Sequence, residues 1–302
     1  MTPTIAIVGA GAIGCYYGGR LAQHGCPVHF LFRSGYEAAK QRGLIVQSPD
    51  GDFTIAPGQL NVHRNPSQMP KADLVIVALK TTANDQFQPL IAPLLKDSTI
   101  ILTLQNGLGN EDRLAELFGP QRIMGGLAFV CVNRMDDGTI RHLDHGQIKL
   151  GEFCGSPLQR TRDIAQLFCD SRVPCQVLDS LAYGRWEKLV WNVPFNGLGA
   201  VLDKSTDQII NSPSGLALVR RLMLEVMQTA AAAGITLPPD LPERKINDTK
   251  TMGAYRTSMQ LDRRHNRPLE TDAIVGKTLA AARQTAVATP YIQMLYDMLA
   301  LI

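Results

Sequence analysis

The chain has 302 residues, 45% of them apolar and 19% charged, with a formal net charge of +3. This composition excludes a disordered chain, and the length exceeds a usual single core while suiting two domains of about 100 to 200 residues. The densest basic run, Arg263-Arg264-His265 with Arg267, is too short for a nucleic-acid surface, so the charge balance suits a small anionic partner instead.

No uninterrupted apolar run approaches the roughly 20 residues of a membrane-spanning helix. The N-terminal apolar stretch from Ile5 to Ile13 is interrupted by glycines, which argues against a cleavable leader and predicts a cytoplasmic protein. Six cysteines, at positions 15, 26, 131, 154, 169 and 175, show neither CxxC pairs nor Cys/His spacing. They predict reduced thiols and no metal site.

In chain order, the first half alternates short β-branched runs with helical stretches, the pattern of a parallel sheet with crossover helices. Thr4 to Val8, Val28 to Phe32, Leu74 to Leu79 and Thr99 to Leu104 predict its central strands. Leu44-Ile45-Val46 and Phe53-Thr54-Ile55 flank the turn-forming Pro49-Asp50-Gly51 and predict a hairpin. Val173 to Asp179 predicts a final strand and linker. Beyond Ser180 helical periodicity takes over, as in Leu216 to Gly234 and Thr271 to Ala288. The expected fold is therefore α/β: a Rossmann-like doubly wound domain over residues 1–179, followed by a mostly α-helical domain over 180–302.

Gly9-Ala10-Gly11-Ala12-Ile13-Gly14 directly follows an apolar strand and opens a helix. GxGxxG is a weak string alone, but here it has the required context: a tight turn, close backbone approach to a pyrophosphate, and a helix N-terminus facing the anion. The competing explanation is a glycine-rich turn that only allows tight packing. At the end of the second strand, where a carboxylate would accept from a ribose 2′-hydroxyl, the chain has Arg33-Ser34. A guanidinium pairs with a 2′-phosphate, which favours NADPH, unless Arg33 is simply a solvated strand end. Lys80 and Gln105-Asn106-Gly107 end the next two strands, on the side where ligands gather in open α/β sheets; a solvated lysine and an ordinary Asn-Gly turn remain the alternatives.

In the helical half, Lys188, Asn192 and Asn196 recur every four residues among apolar neighbours, forming one polar stripe on a helix. Buried Lys and Asn need partners, which a bound ligand or an internally satisfied seam can supply. Pro194 deletes one helical hydrogen bond and is expected to kink this helix. Farther on stand Ser258, Asp262-Arg263-Arg264, Glu270 and Asp272, the last two also suited to starting a helix.

Taken together, GAGAIG, Arg33, VALK ending at Lys80, QNG at 105–107, KxxxNxxxN from Lys188 to Asn196, and SMQLDRRHNRPLETD with Ser258 and Glu270 resemble the ketopantoate (2-dehydropantoate 2-) reductases over nearly the whole chain. The resemblance implies reduction of 2-dehydropantoate to (R)-pantoate, in pantothenate and coenzyme A formation, in a cleft between the two domains. It implies that Gly9, Gly11, Ala12, Ile13 and Gly14 hold the pyrophosphate, that Arg33 and Lys80 favour NADPH, and that Asn106 lies beside cofactor and substrate. Lys188 would be the general acid, Asn192, Asn196 and Ser258 substrate ligands, and Glu270 the residue positioning cofactor and lysine. A further asparagine common in the family has its counterpart in Thr206, and the usual asparagine-proline pair is replaced by Asn196-Gly197. The alternatives are a paralogue reducing another small anionic 2-oxo acid or ketone, and a regulatory protein that binds NADPH without catalysis. No nucleic-acid or membrane partner is expected, and a homodimer is left open.

Overall fold

The computed structural model describes residues 2–302. The chain divides into two compact units, one comprising the chain up to Gln105 together with Asn110–Leu181, the other Asn106–Gly109 and Ala182–Ile302.

The strands of the first unit are β1 (Ile5–Val8), β2 (Val28–Leu31), β3 (Leu44–Gln47), β4 (Phe53–Ile55), β5 (Asn61–His63), β6 (Leu74–Val77), β7 (Ile100–Thr103), β8 (Ile123–Arg134), β9 (Ile140–Glu152) and β10 (Cys175–Val177). Its helices are α1 (Ala12–Gln23), α2 (Tyr36–Arg42), α3 (Phe87–Ile91), α4 (Asn110–Phe118) and α5 (Gln159–Asp170). The strands form one sheet in the order β4-β3-β9-β8-β7-β6-β1-β2-β5, with β10 also paired to β9. From β5 through β8 every pairing is parallel.

Both faces of this parallel region are covered, which is why β1 reads as an unbroken apolar run. Alternate residues leave the strand on opposite sides: Ile5 and Ile7 join Tyr17, Leu21 and Phe168 in one core, whereas Ala6 and Val8 join Phe87, Ile91 and Leu114 in the other. The order reverses at β1, which lies between β2 and β6, and such a reversal opens a crevice beyond the strands' carboxyl ends.

The expected hairpin forms between β3 and β4. Beyond β7 the sheet departs from a purely parallel one. β8 and β9 make a long antiparallel hairpin whose register shifts between Phe129 and Val130 and again between Cys131 and Val132.

The second unit is built from α6 (Leu181–Leu202), α7 (Thr206–Ile210), α8 (Pro213–Ala232), α9 (Leu241–Thr251), α10 (Ser258–Arg264), α11 (Lys277–Gln284) and α12 (Pro290–Ala300), with a π-helical turn over Asp272–Gly276. Val190, Val193 and Phe195 of α6 share a core with Leu222, Met223 and Val226 of α8 and Ile292 and Leu295 of α12. α6 runs on as helix through Pro194. Buried Glu225 on α8 accepts from the backbone N–H of Tyr291 and Ile292 at 3.0 and 2.8 Å, satisfying first-turn donors of α12 that would otherwise lack partners.

Candidate active site

In the first unit, β1 ends at Val8 and the chain turns at once through Gly9, whose φ is +103°. A Cβ at Gly9 would stand 2.6 Å from the backbone N of Leu79 just beyond β6, so only glycine lets the loop pass there. Two hydrogen bonds hold the loop between the neighbouring strand ends: Ala10 N–H donates to Leu31 O of β2 at 3.2 Å, and Ala78 N–H donates to Val8 O at 2.8 Å. Lys80 therefore follows directly on the segment against which Gly9 packs, and Arg33 lies two residues past β2; both are exposed.

The start of α1 meets the requirements of a dinucleotide. Its N-cap is Gly11, no side chain caps it, and its first turn carries no acidic residue. A Cβ on Gly11 would find no atom within 4 Å, so the space over the helix N-terminus is open, and a pyrophosphate there would face backbone donors and the positive end of the helix dipole.

In the second unit the polar stripe of α6 is buried: Lys188, Asn192 and Asn196 are 9%, 4% and 3% exposed. The Lys188 ammonium donates to Asn106 Oδ1 at 2.9 Å. Asn106 is held by its successor Gly107, where φ is +83° and a side chain would collide with the backbone of Ala273, and by the bond from Leu108 N–H to Ala273 O at 2.9 Å. Ala273 belongs to the π-helical turn that follows Glu270. One backbone junction thus fixes Asn106 against the segment carrying Glu270, and π-turns of this kind are frequent at functional sites.

Burial pushes the Lys188 ammonium down from the ordinary lysine value of 10.5 to about 7; the Arg185 guanidinium adds to the fall and the Glu270 carboxylate opposes it. Lys188 thus has a direct hydrogen bond to Asn106 and an electrostatic interaction with Glu270. Asn196 Oδ1 is buried without a hydrogen-bond partner among the described residues, an acceptor that a donor group of a ligand would satisfy.

Ser258 opens α10 directly after its N-cap Thr257 and is partly exposed. Gly199, one helical turn beyond Asn196 on the same face of α6, packs toward Thr257 and Gln260. Thr206 is buried, and its hydroxyl donates to Gly253 O at 3.3 Å.

Two residues of these surroundings were not singled out by sequence. Arg185 lies three residues before Lys188, a spacing that places it on the same helix face and was available from the sequence. Arg134, at the end of β8, donates from Nη1 to Ser34 O at 3.1 Å and Ala10 O at 3.4 Å. No sequence signal joins residues 100 and 124 positions apart.

The chain matches two family profiles, "Ketopantoate reductase PanE/ApbA" over residues 5–155 and "Ketopantoate reductase PanE/ApbA C terminal" over residues 180–302. It is 43% identical over 299 residues to a 2-dehydropantoate 2-reductase from Nostoc sp., covering 97% of this chain and 93% of that one. Among solved structures, a 2-dehydropantoate 2-reductase from Geobacter metallireducens superposes with a TM-score of 0.96 at 45% identity, covering 99% of both chains. One from Methylococcus capsulatus superposes with a TM-score of 0.89 at 32% identity, over 99% of this chain and 96% of that one. Among the described residues no helix is long and apolar enough to cross a membrane. On the fold, the glycine loop and full-length identity of this order, the chain belongs to the ketopantoate reductase family.

Proposed function

We propose that this protein is an NADPH-dependent reductase converting 2-dehydropantoate to (R)-pantoate in the cytoplasm, within pantothenate formation. The observation that carries the proposal is the buried Lys188, bonded to Asn106 and electrostatically coupled to Glu270, with a proton affinity brought down to the neutral range. Residues 1–179 would bind the nucleotide and residues 180–302 would supply the acid and the substrate ligands.

Bound NADPH supplies hydride. The task of the chain is to manage the charge that appears on the ketone oxygen as its carbon is reduced. The Lys188 ammonium stabilises that oxygen and then transfers a proton to it, leaving a neutral amine and a C–OH group. A proton affinity near the working pH makes both transfer and recharging easy. Asn106 holds the ammonium in one direction, and the Glu270 carboxylate offsets part of the fall in proton affinity that burial imposes. Asn192, Asn196 and Ser258 would fix the carboxylate and hydroxyl of the substrate, so that orientation is settled before the chemical step. At the other end, Gly9, Gly11, Ala12, Ile13 and Gly14 would cradle the pyrophosphate, with Arg33 and Lys80 near the 2′-phosphate.

A second possibility, reduction of a different 2-oxo acid by the same residues, draws on Thr206, whose buried hydroxyl donates to Gly253 O and so has its hydrogen engaged within the protein. Initial rates with NADPH across 2-dehydropantoate, 2-oxoisovalerate, 2-oxobutyrate and phenylglyoxylate separate the two. The highest kcat/KM with 2-dehydropantoate is expected. A higher value with another acid would reassign the substrate, and NADPH binding without turnover of any acid would point to a regulatory protein.

A further inference from the structure

Arg134 occupies the corner between the glycine loop and the turn after β2. Its guanidinium donates to the carbonyls of Ala10, inside the GxGxxG loop, and Ser34, next to Arg33, and lies 5.7 Å from the centre of the Phe32 ring. Gly35, with φ of +76°, makes room for it: a Cβ there would stand 2.7 Å from Arg134 Cζ. In a βαβ nucleotide unit this corner is where the adenosine ribose rests, with its 2′ position toward the end of the second strand.

Both acceptors of Arg134 are carbonyls, and among the described residues no carboxylate is hydrogen-bonded to it. A guanidinium carries five N–H donors in a planar fork. Here Nη1 serves the two carbonyls, while Nη2 and Nε are left with no protein acceptor. The pocket beside Arg134, which Cys15, Arg42, the Asp137 carboxylate and Thr139 also line, measures about 20 Å³. That is room for about one water and not for a phosphate, so an anion must meet the guanidinium from the solvent side, where Arg33 is exposed.

From this arrangement we infer that Arg134 is a second specificity residue for the nucleotide, pairing with the 2′-phosphate of NADPH opposite Arg33. The inference rests on the proposed use of NADPH. It assigns to the β8–β9 hairpin a role in reading the cofactor, with Gly35 and the two carbonyls aiming the guanidinium. Arg33, on an exposed turn, supplies charge, whereas Arg134, anchored at two carbonyls, supplies direction.

Calorimetric titration of the native protein, Arg134→Met and Arg134→Lys with NADPH, NADH, adenosine 2′,5′-bisphosphate and 5′-AMP tests this, with a thermal melt of each variant alongside. Arg134→Met should weaken NADPH and the bisphosphate by about tenfold or more, equivalent to about 1.4 kcal/mol, and leave NADH and 5′-AMP within about twofold. Arg134→Lys should fall between, since it keeps charge and loses the fork. Equal weakening of all four ligands would reduce Arg134 to a strut for the loop and overturn the inference, as would unchanged binding of NADPH. If Arg134→Met does not fold, Arg134→Lys decides alone by the ratio of its NADPH and NADH affinities, a native-like ratio overturning the inference. A native protein that binds NADPH and NADH equally would sink the NADPH proposal and the role of Arg134 with it, whereas native discrimination that persists in Arg134→Met would sink only the latter.

Discussion

Replacing Lys188 by Met separates a catalytic lysine from a structural one, because the two roles predict different changes in turnover and in the pH dependence of stability. In the native protein the ammonium loses its proton at about 7 instead of 10.5, and at about 1.4 kcal/mol per tenfold change in proton affinity the difference is about 5 kcal/mol. Below pH 7 folded and unfolded chains both hold the proton, so the folded state bears that cost in full. Between about 7 and 10.5 the unfolded chain still binds the proton and the folded one does not, so native stability rises with pH. Methionine fills a similar volume and has no such cost, but it also forfeits the bond to Asn106, a charged hydrogen bond of about 1.5–3 kcal/mol. Lys188→Met should therefore lack the rise in stability that the native protein shows between about pH 7 and 10.5, comparing best with the native protein at pH 6 and worst toward pH 10, while turnover falls by about a hundredfold or more, the usual scale for a lost general acid. Urea melts at several pH values beside saturating kinetics with the best oxo acid and an NADPH titration provide the readout. Normal turnover at saturation would refute the acid assignment. A lower stability with turnover preserved per folded molecule would make the stripe a structural seam.

At the nucleotide end, Gly11→Ala should fold and melt like the native protein, because its Cβ meets nothing within 4 Å, yet lose NADPH binding by about tenfold or more in a fluorescence titration. Gly14→Ala should instead lose about 1–3 kcal/mol or more of stability, since its Cβ would collide with Gly9 O and stand 2.8 Å from Ile7 Cγ2; native-like melting would contradict the packing. Glu270→Gln removes the carboxylate that opposes the fall in Lys188 proton affinity, so in a kcat/KM profile its activity should be lost at lower pH than in the native protein. An unmoved profile would place Glu270 outside the electrostatics of the lysine.

The parallel core of the sheet was legible because both its faces are covered, which makes β1, β2, β6 and β7 short apolar runs ending within two residues of the expected strands. The β3–β4 hairpin was legible from its turn chemistry. The β8–β9 hairpin was not anticipated, although Asp136-Asp137-Gly138 between its strands is a turn signal. Two register shifts and a positive φ at His145 break the alternation that would have marked β9. The stripe of Lys188, Asn192 and Asn196 followed from helical spacing alone and survives Pro194, since the helix continues past it. The meeting of Asn106 with Lys188 and Glu270 did not follow from spacing, because it depends on a backbone junction between Gly107 and Ala273, residues far apart in sequence.

The pH dependence of kcat/KM for the native protein tests the central claim most directly, because it reads the free enzyme's essential acid. If buried Lys188 donates the proton, kcat/KM should be level below about pH 7 and fall roughly tenfold per pH unit above it, with the corresponding limb of kcat at higher pH once an anionic substrate sits beside the ammonium. A kcat/KM that stays level to pH 9 would contradict it.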